Sequence, residues 1–72
     1  MLHDNKFRLS FKEGNISVLN YVDIINISNV NIKIKTSFGF ISIIGNNLKL
    51  CKIYDSECLV KGIINNIEAI YE

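Results

Sequence analysis

The 72-residue chain has no proline and no tryptophan, and it has one histidine, one alanine and two cysteines. Scarcity of the best helix former argues against long helices. No apolar run reaches the 18 or so residues that a membrane-spanning helix needs, and the polar residues 1–6 do not resemble a secretory signal. A soluble, cytoplasmic chain without a membrane span is expected. Two cysteines are too few for a disulfide framework, and Cys51 and Cys58 lack the two close pairs of a zinc site, so reduced thiols and no bound metal are expected. The lone histidine, His3, stands at the terminus and leaves both thiols without a neighbouring base, which argues against a thiol enzyme. Eight basic residues against seven acidic ones give a net charge of +1, too balanced to mark a nucleic-acid or anionic-lipid partner.

What is present is apolar and β-prone. Hydrophobic residues make up 49% of the chain and charged residues 21%, so it is expected to fold. Fourteen Ile and ten Asn fill a third of the positions. Ile is stiff at χ1 and suits a pleated, half-buried surface, whereas Asn favours turns and tolerates left-handed backbone. A chain this short buries only about 60% of the surface its unfolded form exposes, which limits it to a single domain with a marginal core. Residues 1–6 read as a flexible segment and residues 7–72 as that domain.

Phe7, Leu9 and Phe11 alternate with Arg8 and Ser10, as in a half-buried strand, and Glu13-Gly14-Asn15 reads as a tight turn into a return strand carrying Ile16 and Val18. A further strand spans 21–27, and Ser28-Asn29 turns the chain. Val30, Ile32 and Ile34 then alternate with Asn31, Lys33 and Lys35, the pattern of a strand with one wet face, which predicts all three apolar residues inside. From Phe38 to Gly45 both faces are apolar: Phe38, Phe40, Ser42 and Ile44 on one, Ile41 and Ile43 on the other. A face left uncovered by so small a chain is suited to a second copy, so a homo-oligomer is expected, with Phe38, Phe40 and Ile44 as the candidate contact residues.

Gly45-Asn46-Asn47 reads as another turn, and Leu48 and Leu50 restart the alternation. Ile53 falls on the opposite parity, which predicts a β-bulge near Cys51-Lys52. Asp55-Ser56 and Asn65-Asn66 read as the last turns, around a strand over 58–64. The segment 67–71 fits a short strand, although Ile67, Ile70 and Tyr71 also fit one helical turn. About eight short antiparallel strands follow from this reading, in an all-β meander folded as a small sandwich, roll or barrel.

Residues with chemistry to offer do not converge in the sequence. If Asp55-Ser56 closes a two-residue turn, Cys51 lies diagonal to Cys58, with β carbons roughly 7 Å apart against about 4 Å in a disulfide. Asp55 and Glu57 are two carboxylates where calcium needs three or more converging oxygens. Gly14, Gly39, Gly45 and Gly62 lack phosphate-loop spacing and read as structural turn or bulge positions, so no cofactor and no catalytic residue is assigned. Lys33, Lys35, Lys49, Lys52 and Lys61 beside Tyr54 would suit a small nucleic-acid-binding barrel if they shared a face, which makes that the competing functional class.

The order and spacing Thr36-x-x-Gly39-x-Ile41-x-Ile43-x-Gly45-x-x-Leu48-x-Leu50-x-x-Ile53, followed by Val60-x-Gly62-x-Ile64, resembles the YabP/YqfC family of sporulation proteins of endospore-forming Firmicutes. His3, Leu9 and Ile16-x-Val18 extend the likeness forward and place it nearer the YabP branch. Asn20 stands where that family usually has Gly, Ser28 and Asn29 where it tends to be acidic, and Lys61 where an acidic residue is common. The resemblance implies a non-enzymatic protein of the mother-cell cytoplasm at the forespore surface, serving spore morphogenesis through contacts with envelope, cortex or coat proteins. It brings no catalytic residues.

Overall fold

The computed structural model describes residues 7–54 and 56–71. The expected flexible segment 1–6 lies outside them, as do His3 and Asp55. The fold is all-β: six antiparallel strands in one open sheet, with no helix among the described residues. In chain order these are β1 (Arg8–Lys12), β2 (Asn15–Leu19), β3 (Asp23–Ile27), β4 (Asn31–Thr36), β5 (Gly39–Tyr54) and β6 (Glu57–Tyr71).

Six strands replace the expected eight because two of the expected turns are bends inside long strands. At Gly45-Asn46-Asn47 and at Asn65-Asn66 the β5–β6 ladder slips register without reversing the chain. Ile44 pairs with Asn66 and Gly45 with Ile64, so Asn65 is the extra residue on β6; Asn47, at φ 53°, belongs to the extra pair on β5. Residues that tolerate left-handed backbone thus serve bulges as readily as turns. A third slip leaves Ile53 unpaired, one to two residues beyond the expected bulge. Segment 67–71 is strand and not a helical turn, being the end of β6.

The sheet order is β1-β2-β6-β5-β4-β3, so it is not a simple meander: β2 pairs with β6, and β3 lies at the opposite edge. Sixteen residues of straight strand would span about 50 Å, yet the longest dimension of the molecule is 40 Å, so β5 must bend. Its first half carries β4 alongside, while the paired first half of β6 carries β2.

The bend brings the two halves face to face. Ile16, Val18, Cys58 and Val60 from one half and Ile32, Ile34, Ile41, Ile43 from the other, with Leu48, form one buried cluster. The connection from β2 to β3 fixes their closeness. The Asn20 N–H donates to the Ser56 carbonyl at 2.7 Å, and the Val22 N–H donates to the Lys35 carbonyl at 2.8 Å. Two residues of chain reach no further than about 7 Å, so the β5–β6 tip and the end of β4 sit on either side of Tyr21. Asn20 has φ 62°, a left-handed conformation that Asn adopts more readily than most residues.

Two predicted inward positions prove to be exposed. Val30 is 49% exposed, because β4 begins one residue later. Val30 belongs to the turn tied by Ser28, whose Oγ accepts from the Asn31 N–H at 3.0 Å, and its side chain escapes the alternation that Ile32 and Ile34 obey. Phe11, beside the Glu13-Gly14 turn, is also exposed, whereas Phe7 and Leu9 pack against the core.

Candidate interaction surface

The outer face of the β4–β5 half gathers the polar side of one strand and the second apolar side of the next. Register places Lys35 opposite Phe40, Lys33 opposite Ser42 and Asn31 opposite Ile44. The Lys33 and Lys35 ammonium nitrogens stand 4.7 and 4.9 Å from the Phe40 ring centroid, both within cation–π range. Phe40 is half-buried and not fully exposed.

Beside it, the Asn31 side-chain amide donates to Ser42 Oγ at 2.8 Å and to the Ile43 carbonyl at 3.3 Å. The Asn26 amide donates in turn to Asn31 Oδ1 at 3.4 Å. This chain of amides ties β3 to β5 across β4, beside Ile44, which is also half-buried.

Of the three candidate contact residues, the structure brings Phe40 and Ile44 onto this face and sends Phe38 elsewhere. Phe38 lies in the β4–β5 turn, where Thr36 Oγ1 accepts from its N–H at 3.3 Å. Its ring packs against the core, 5.3 Å from the Phe7 ring in an edge-to-face contact and 5.0 Å from that of Tyr71. Phe7 and Phe38 cover one end of the core, and the exposed Tyr71 lies against Phe38.

The lysines separate into pairs. Lys33 and Lys35 lie on the outer face of the β4–β5 half, and Lys49 pairs with Lys61 where β5 and β6 continue beside β2. The two halves enclose a common core, so their outer faces point apart and these four lysines form no single stripe.

The cysteines lie on opposite sides of the sheet. Cys51 pairs with Leu59 and is exposed, whereas Cys58 pairs with Lys52 and is buried; neither is in a disulfide. The expected diagonal relation of the two assumes an unbroken ladder, and the unpaired Ile53 shifts Cys51 by one position. Glu57 accepts a hydrogen bond from Ser17 Oγ at 3.2 Å. No group of three metal-ligating side chains occurs among the described residues.

Among the structural glycines, Gly14 (φ 80°) forms the β1–β2 turn with Glu13, and Gly39 opens β5. Gly45 and Gly62 mark the bend of the long hairpin. Among the described residues no helix is long and apolar enough to cross a membrane. Residues 58–64 and 67–71 are expected as strand and the structure joins them in β6; what sequence reasoning missed is the exposed apolar surface there, at Ile63, Ile70 and Tyr71. Its only signal was the excess of Ile over what one small core can bury. No protein-family model, no curated protein and no solved structure matches the chain.

Proposed function

We propose that this chain is a non-enzymatic structural or scaffold protein of spore envelope, cortex or coat assembly, acting through protein–protein contacts and self-association. One observation carries the reading. Among the described residues, eight large apolar side chains are 42% exposed or more, in a molecule of 4692 Å² total surface. Ile25 and Ile27 lie on β3 with Val30 in the turn that follows, and Ile63, Ile70 and Tyr71 lie on β6. That many exposed apolar side chains on so small a chain support a reading in which burial is completed against another protein. The link to sporulation comes from the residue pattern that resembles the YabP/YqfC family, and the curled sheet is read as a small roll.

The outer face around Phe40 and Ile44 is the proposed self-association face. Sedimentation of the purified chain at low and high salt tests it. An apolar contact depends weakly on salt, so a dimer or higher oligomer is expected at both, and Phe40→Ser is expected to weaken it. A monomer that binds RNA steeply less as salt rises would favour the nucleic-acid-binding alternative.

A further inference from the structure

Every open sheet leaves edges with unpaired N–H and C=O groups, and proteins blunt them with charge, bulges or short strands. Three of the four edges here are blunted. The β1 edge is five residues long and carries Arg8; the β3 edge is five long and broken by an irregularity at Ile25; the free run of β5 beyond Leu48 carries Lys49. The fourth, on β6, is the longest: it carries Lys61 and a bulge at Asn65, but its last five residues are unbroken. β2 pairs with β6 only over 57–60, so residues 61–71 have β5 on one side and no ladder partner on the other among the described residues. Beyond the bulge at Asn65 this edge runs straight, with one charge, Glu68, and with Ala69, Ile70 and Tyr71 all exposed.

Resting on the self-association reading, we propose that residues 67–71 pair antiparallel with the same residues of a second copy, about a twofold axis at Ala69. The charge selects this arrangement. Parallel in-register pairing, or antiparallel pairing about Glu68, would set two carboxylates directly opposite each other, which is unfavourable. Pairing about Ile67 would bring Ala69 against the bulged Asn65 and interrupt the ladder. Pairing about Ala69 sets Glu68 opposite Ile70 and Ile67 opposite Tyr71, a β-branched residue against an aromatic one, and places the smallest side chain on the axis. The dimer would be one continuous sheet through both copies.

The test uses the full chain with Cys51→Ser, which removes the exposed thiol. Under mild oxidation Ala69→Cys is expected to form a covalent dimer in high yield, while Ile63→Cys, exposed but on the far side of the bulge, is expected to form little. In sedimentation, Ala69→Lys is expected to be monomeric where the wild type is dimeric. Association that survives Ala69→Lys and is lost in Phe40→Ser would overturn the edge and leave the Phe40 face standing. A wild type that stays monomeric at high concentration would overturn both.

Discussion

Gly45 lies against the carbonyl oxygen of Ile63 so closely that a β carbon at position 45 would fall on that oxygen. The backbone atom cannot swing aside as a side-chain tip would. Gly62, at φ 125°, meets the Asn47 carbonyl oxygen in the same way, at 2.5 Å from where its β carbon would stand. At these two glycines the strands of the long hairpin approach more closely than a β carbon would allow, and the bend of the hairpin is what folds one sheet over its own core. Gly45→Ala is therefore expected to destabilise far more than Gly14→Ala, whose β carbon would meet nothing within 4 Å. Gly14→Ala should cost about 1 kcal/mol for its positive φ. Urea unfolding midpoints of the two variants make the comparison.

Ile32 is fully buried in the middle of the cluster. An aspartate there is a buried carboxylate with no partner, at a cost of roughly 3 kcal/mol or more against a total stability near about 5. Ile32→Asp is expected to abolish cooperative thermal melting. An unchanged melting curve would contradict the register of β4.

The Tyr21 hydroxyl is buried and has no hydrogen-bond partner among the described residues, while its ring packs against the core. Removing an unsatisfied polar atom relieves a desolvation cost of about 1 kcal/mol or more. Tyr21→Phe is expected to raise the melting temperature or leave it unchanged. A clear loss of stability would show that the hydroxyl is engaged.

Cys51 and Cys58 should differ in reactivity, since one is exposed and the other is fully buried. Titration of the native chain with a thiol reagent is expected to label Cys51 quickly and Cys58 only after denaturant is added. Two fast thiols would mean that the β2–β6 half opens readily.

The sequence announced local structure better than it announced pairing. Ile32 and Ile34 alternate with Lys33 and Lys35 as a one-face-wet strand should, and the Glu13-Gly14 turn and the left-handed Asn20 follow from residue chemistry. Gly45-Asn46-Asn47 and Asn65-Asn66 were legible as irregular backbone, but the same residue types serve a turn or a bulge, and only the partner strand decides which. The pairing of β2 with β6 joins residues some forty positions apart, Ile16 with Val60, and leaves no local trace. At the candidate surface, parity placed Phe40 and Ile44 together but could not foresee that the turn at Thr36 would rotate Phe38 toward Phe7 and Tyr71.

The central claim is that the chain works as a protein-binding scaffold during spore formation. Imaging a fluorescent fusion through sporulation tests it most directly, with affinity capture from the same cells. The account predicts recruitment to the engulfed forespore and co-purification of envelope or coat proteins. Diffuse signal in vegetative cells with co-purifying RNA would contradict it.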